Sequence, residues 1–123
     1  MKRILIIDDN AIVLETYRMM LEREGYEVVV ATDGKKGIST FKEKSPHLVI
    51  TDIFMPEKEG LETIRELKEN FPNVKIIAIS GCVTIESEGE DCLKMAKKFG
   101  AMCTLAKPID MQELLEAVQK CLS

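Results

Sequence analysis

The sequence predicts an open α/β fold, a doubly wound parallel sheet of five strands with five helices packed on its two faces. Three observations carry this. Five short runs are apolar and rich in β-branched residues. A segment with helical spacing follows each of them, and parallel strands need crossovers of that kind. The 123 residues fit one domain, residues 1–123, which at this length buries roughly two-thirds of the surface its unfolded chain exposes.

Ile4 to Ile7 is apolar without interruption and reads as a strand covered on both faces. From Ile12 the period becomes helical, with Ile12, Val13, Tyr17, Met20 and Leu21 on one stripe. Asn10 stands at the N-cap and Gly25 where that helix would end. Tyr26 to Ala31 is the second strand. Thr32-Asp33-Gly34 makes a turn, and Gly37 to Lys44 a short helix ending before Pro46. His47 to Thr51 is the third strand, and Leu61, Ile64, Leu67 and Phe71 form the apolar face of the helix after it. Val74 to Ile79 is the fourth strand. A polar stretch then leads into a helix around residues 91–99, which Gly100 ends. Ala101 to Ala106 is the fifth strand. Met111, Leu114, Leu115, Val118 and Leu122 recur at helical spacing behind the N-cap Asp110. Right-handed crossovers narrow the topology to a few arrangements. The stretch Thr84 to Asp91, with four acidic residues and a glycine, reads instead as an acidic loop.

Composition excludes several function classes. Seventeen basic against twenty-one acidic residues leave a net charge of −4, which argues against nucleic acid or an anionic membrane as a direct partner. Aromatic residues make up 5% of the chain, with no Trp, so no base-stacking surface is available. Cys82, Cys92, Cys103 and Cys121 form no CxxC pair and, with His47 as the only histidine, no zinc pattern. Scattered among apolar neighbours, they read as reduced, buried thiols. A Cys82–Cys92 redox pair rests on spacing alone. Four apolar residues after Lys2-Arg3 are too few for a signal peptide or a membrane span, so a cytoplasmic location is expected.

The positions of the polar residues say more than their number. Asp8 and Asp9 follow the first strand, Asp52 the third, Ser80 the fourth and Lys107 the fifth. In an open α/β sheet these points share the carboxyl edge, where ligands sit at the topological switch point. Each residue alone has a plainer explanation: an Asp after a strand commonly caps a helix or makes an Asx-turn, and a serine or lysine there can simply be solvated. Capping gives no reason for a lysine on the same edge as three carboxylates. Clustered carboxylates repel one another and raise each other's pKa unless a cation is present. A hard divalent ion such as Mg²⁺ takes oxygen ligands and binds through a couple of carboxylates plus phosphate. With a lysine and a hydroxyl added, the set suits a phosphoryl group, and a carboxylate can itself serve as nucleophile.

These residues resemble the receiver domain of bacterial two-component response regulators, in the single-domain form typified by the chemotaxis response regulator. The matching motifs are Asp8-Asp9, the run from Asp52 to Pro56 with Gly60, Ser80-Gly81, and Lys107-Pro108, spread over essentially the whole chain. The resemblance implies a flavodoxin-like sheet of order 2-1-3-4-5. It implies that Asp52 accepts the phosphoryl group, that Asp9 is the principal acidic ligand of Mg²⁺ (or Mn²⁺), and that Asp8 acts directly or through water. The backbone carbonyl of Phe54 joins Asp52 in that metal shell. Lys107 pairs with the phosphoryl group, its bond to Pro108 is cis, and Ser80 is the switch hydroxyl.

Three positions depart from that family's pattern. Thr104 stands three residues before the lysine, where an aromatic ring usually swings inward as the switch hydroxyl moves. The segment from Ser80 to Lys107 is longer than usual, with the extra residues in the acidic stretch Glu86 to Asp91. Phe54 and Cys82 occupy the sites two residues after the acceptor and the switch hydroxyl, which commonly tune attack of water on the phospho-aspartate.

The expected function is therefore a regulatory phospho-acceptor in a phosphorelay. Its partners are a sensor histidine kinase or a histidine phosphotransfer protein and a downstream protein target met on the helix 4/strand 5 face. A monomer or weak dimer is expected, as is self-catalysed phosphorylation and dephosphorylation. An aspartate-nucleophile phosphatase is a rival, but it calls for a second Asp where Phe54 stands. A module with a vestigial pocket fits the missing ring and leaves the acids unexplained. A flavodoxin-like cofactor binder lacks a phosphate-cradling loop.

Overall fold

The uninterrupted run at the N-terminus forms β1 (Arg3–Ile7), whose Ile4, Leu5, Ile6 and Ile7 are all buried. In the computed structural model, which describes residues 1–53, 59–80, 94, 96–107 and 109–123, β1 pairs on both sides. Its neighbours are β2 (Glu27–Ala31) and β3 (Leu48–Asp52), and β4 (Ile76–Ser80) and β5 (Cys103–Ala106) complete the sheet. All pairs are parallel and the order is β2-β1-β3-β4-β5. β3 and β4 are buried along their whole length, as central strands of a doubly wound sheet must be.

The helices are α1 (Ala11–Arg23), α2 (Gly34–Lys44), α3 (Glu59–Asn70), α4 (helical residues 94 and 96–99) and α5 (Met111–Leu122). They sort onto two faces by the alternation of strand side chains. Leu5, Ile7, Val49, Ile76 and Ala78 turn toward α2, α3 and α4, where Leu61, Ile64, Leu67 and Ala96 complete one core cluster. Ile4, Ile6, Ile50, Ile77 and Ile79 turn toward α1 and α5, against Leu14, Tyr17, Leu21, Leu114 and Val118.

The caps follow local chemistry. The Asn10 side chain accepts from the Ile12 and Val13 amides, and that of Asp110 from Gln112 and Glu113, as their positions predict. After the C-cap Glu24, the Gly25 amide donates to the Glu22 carbonyl, and the Gly25 φ of 93° turns the chain so that the Tyr26 amide reaches the Leu21 carbonyl.

Four expectations need correction. α2 begins at Gly34 rather than Gly37, because Asp33 is an N-cap accepting from the Lys36 amide rather than a mere turn residue. On α1, Ile12 is 78% exposed and Leu14 is buried; the two lie about half a turn apart, so the core-facing stripe is rotated toward Leu14. Tyr26, His47, Val74, Lys75, Ala101 and Met102 lie just outside their strands. Asp52 and Ser80 are last residues of their strands rather than residues after them, because pairing continues to Asp52 with Ile79 and Ser80 with Ala106. The expectations placed on Phe54, Cys82, the acidic stretch Glu86 to Asp91, Cys92 and Pro108 lie outside the described residues. Among those described, no helix is long and apolar enough to cross a membrane.

Candidate functional site

Three adjacent strand ends bring the predicted acids together. Asp8 follows β1, and its amide donates to the Ala31 carbonyl of β2, which carries the sheet one residue further. Asp52 closes β3, with the next amide, Ile53, bonded to the Ile79 carbonyl of β4. One carboxylate oxygen from each of Asp8, Asp9 and Asp52 lies within 4.8 Å of the others, with Asp8 and Asp52 buried and Asp9 exposed. Ser80 closes β4 and receives the Lys107 amide on its carbonyl at 2.8 Å, so β5 delivers Lys107 to the same edge. All five residues that the sequence singled out therefore meet.

The lysine bridges the acids. Lys107 Nζ donates to Asp52 Oδ2 at 3.1 Å and lies 3.6 Å from Asp8 Oδ2, with its side chain 24% exposed. Burial alone would lower the ammonium's pKa, but its bond to Asp52 and the charges of Asp52 and Asp8 outweigh that and hold it above its ordinary value. Asp8 moves the other way for an acid. Burial pushes its carboxyl up, the Asn10 amide bond opposes this, and the charge of Asp52 adds to the rise. The plainer explanation of an Asp after a strand is thus half true of Asp8. Its Oδ1 makes an Asx-turn with the Asn10 amide at 2.8 Å, while its Oδ2 faces the lysine.

Charge and hydrogen bonding both bear on what the cluster can hold. Among the described residues, three carboxylates against one ammonium leave two negative charges in the cluster, on hard oxygen donors close enough to share one ion. The residues present fit Mg²⁺ or Mn²⁺. Ser80 Oγ is buried without a hydrogen-bond partner among the described residues, an arrangement that costs stability unless a ligand satisfies it. Thr104 lies on β5 opposite Ala78, half-buried, so the aromatic position of the family carries a small side chain here.

Two neighbours of the site escaped sequence reasoning. Gly60, noticed only as part of a motif, has a physical role: a Cβ there would run into the backbone at Ile53 Cα and the Asp52 carbonyl oxygen. α3 therefore rests directly on the end of β3, and no local pattern signals such contact. Tyr17, placed on the α1 stripe, is buried close enough for Lys107, Asp8 and Asp52 to act on its phenol, which burial pushes above its usual range.

A flavodoxin-like sheet with clustered aspartates and a lysine at its carboxyl edge defines the receiver class. The chain belongs to the response regulator receiver domain family, whose model matches residues 4–119. It is 35% identical over 121 residues to the chemotaxis protein CheY of Thermotoga maritima, covering 97% of this chain and 96% of that protein. It is 34% identical to CheY of Bacillus subtilis, with 98% of each covered. Sporulation initiation phosphotransferase F of B. subtilis is 29% identical, with 98% of this chain and 94% of that protein covered. Among solved structures, a response regulator receiver domain protein from Clostridium thermocellum superposes with a TM-score of 0.87 at 31% identity, covering 99% of this chain and 94% of that one. The protein is accordingly a receiver domain of the kind that accepts phosphoryl groups in two-component signalling, with a regulatory role, and such domains interact with histidine kinases or phosphotransfer proteins.

Proposed function

We propose that residues 1–123 act as one cytoplasmic receiver domain in which Asp52 is the phosphoryl acceptor. A sensor histidine kinase or a histidine phosphotransfer protein is the donor. The observation that carries this reading is the meeting of three carboxylates within 4.8 Å with Lys107 at 3.1 Å from Asp52, joined at the same strand edge by Ser80, whose buried hydroxyl has no partner among the described residues. Asp8, Asp9, Asp52 and the backbone carbonyl of Phe54 would hold Mg²⁺ or Mn²⁺. When bound, the ion neutralises phosphoryl oxygens and lets the anionic donor approach an anionic acceptor.

The rest of the chemistry belongs to the chain. A carboxylate oxygen of Asp52 attacks phosphorus in line; the O–P bond forms as the N–P bond to the donor imidazole breaks and its electron pair returns to that nitrogen. Lys107 leaves the Asp52 carboxylate and pairs with a phosphoryl oxygen, and Ser80 Oγ donates to another. Water attacking phosphorus later reverses the modification and frees the carboxylate. Both steps use the domain's own residues, so the domain catalyses its own switching.

The new group adds about −1.5 to −2 charge. Near-complete switching takes about 5.5 kcal/mol of differential stabilisation, within reach of several charge-assisted contacts. With Thr104 in place of a ring, the movement of Ser80 and its strand end carries the signal to the face formed by helix 4 and β5, where the protein target docks.

Incubation with acetyl phosphate, with and without Mg²⁺, read by intact mass and repeated on Asp52→Asn, tests this reading. The expected result is one phosphoryl group per chain that requires both the ion and the Asp52 carboxylate. Uptake by Asp52→Asn, or none by the native chain with Mg²⁺, overturns it.

A further inference from the structure

Away from the carboxyl edge, two thiols lie in contact. Cys103, the first residue of β5, and Cys121, in the last turn of α5, bring their sulfurs to 3.6 Å across eighteen positions of sequence. Both are free thiols. Their surroundings differ. Cys121 is 1% exposed and packed within the cluster of Ile77, Leu114 and Val118. Cys103 is half-buried and lines a groove of about 440 Å³ with Met102, Thr104, Leu105 and Lys120. A reagent in the groove therefore meets Cys103, with Cys121 waiting behind it.

We infer that Cys103 and Cys121 form an oxidisable pair, in which a low-molecular-weight disulfide reacts at Cys103 and Cys121 completes an intramolecular bond tying the end of α5 to the start of β5. Closing the contact to a bond of about 2 Å needs a shift of about 1.5 Å, within the range of side-chain rotation. The Cys103 thiolate attacks one sulfur of the reagent, forming a mixed disulfide and expelling one thiolate, which takes a proton. Cys121 then releases its proton and attacks the Cys103 sulfur, expelling the second thiolate. The two protein thiols lose two electrons and two protons, and the reagent's disulfide becomes two thiols. Burial, and then the hydrogen bond with Cys103, push the Cys121 thiol up to about 11, so the resolving step quickens as pH rises.

The bond would close a loop that contains Thr104 and Lys107 and would restrict the unfolded chain. It would form on the α5 side of the sheet, where Cys103 and Leu105 pack, and leave the aspartates untouched. The inference stands apart from the phosphoryl-acceptor reading, because Asp52→Asn should oxidise in the same way.

The test is incubation of the full chain with oxidised glutathione at pH 8, followed by alkylation, intact mass and peptide mapping. Before alkylation the expected product is about 2 Da lighter, the two hydrogens lost, and it then takes up two alkyl groups fewer than the reduced chain, with Cys103 linked to Cys121. Its melting temperature should rise by roughly 5–15 °C and fall back on reduction. Cys121→Ala should trap one glutathione on Cys103. Where that variant does not fold, mapping of the native chain decides alone. A lasting mixed disulfide on Cys103 in the native chain, a link through Cys82 or Cys92, or an unreactive Cys103 overturns the inference.

Discussion

The ammonium of Lys107 meets the carboxylate of Asp52 at 3.1 Å although fifty-five positions separate the two residues in sequence. The same nitrogen lies 3.6 Å from Asp8, so one cation from β5 holds together acids delivered by β1 and β3. Three carboxylates crowd this edge among the described residues, so removal of the lysine should expose the repulsion it masks.

Lys107→Met is therefore expected to destabilise the metal-free protein by about 1–3 kcal/mol, between the values for surface and fully buried pairs. It should also raise Mg²⁺ affinity, since no ammonium then competes for the carboxylates. Urea unfolding with and without Mg²⁺ measures both effects. Unchanged stability together with unchanged affinity would show that the ion pair is incidental.

Asp8→Asn should act in the opposite sense. The native carboxyl of Asp8 holds its proton to higher pH than the unfolded one, whose ordinary value is 3.8, so ionising it at pH 7 costs the fold stability. Asparagine removes that cost and retains an oxygen for the Asn10 amide. A gain of about 0.5–1.5 kcal/mol at neutral pH is expected without metal. The gain should vanish as pH falls below 3.8, where both states of the native residue are protonated. Mg²⁺ should no longer raise the melting temperature. Melts across pH 3 to 8 check the sign, and a loss of stability at pH 7 would contradict it.

Gly60→Ala should be costly out of proportion to one methyl group. The atoms in its way are backbone, Ile53 Cα and the Asp52 carbonyl oxygen, which cannot rotate aside. About 2–4 kcal/mol is expected, with slower phosphorylation as the end of β3 shifts. Gly37→Ala is the control, because the atoms nearest its Cβ belong to the side chain of Ile7, which can rotate aside. Denaturant curves for the two variants should separate them, and equal losses would remove the special role of Gly60.

Ser80→Ala should divide stability from signalling. The hydroxyl is buried and unpartnered among the described residues, so its loss should leave the unmodified fold as stable or up to about 1 kcal/mol more stable. The phosphorylated form should lose its conformational response, because the alanine cannot donate to the phosphoryl group. Comparing amide exchange before and after acetyl phosphate treatment tests this, and an undiminished response in the variant would count against Ser80 as the switch.

Much of this was legible in one dimension because the forces that decide it act locally. Continuous apolar, β-branched runs cannot face water on either side, so Ile4 to Ile7 and the run through Ile76 to Ile79 had to be inner strands. An Asn or Asp before a helical stripe supplies the oxygen that orphan amides need, so Asn10 and Asp110 marked helix starts without further information. The gathering of Asp8, Asp9, Asp52, Ser80 and Lys107 followed from topology, since parallel strands put every carboxyl end on one edge.

Other features were decided only when the elements packed. Which side of α1 faces the sheet depends on the layer beneath it, so Ile12 and Leu14 could not be told apart by spacing alone. The contact of Gly60 with the end of β3, the split of Asp8 between an amide and an ammonium, and the meeting of Cys103 with Cys121 all join residues with no local relation. Their energies depend on distances of a few ångströms between separate strands and helices. Sequence determines which groups are available to an edge or a face; the close-packed interior alone decides which of them touch.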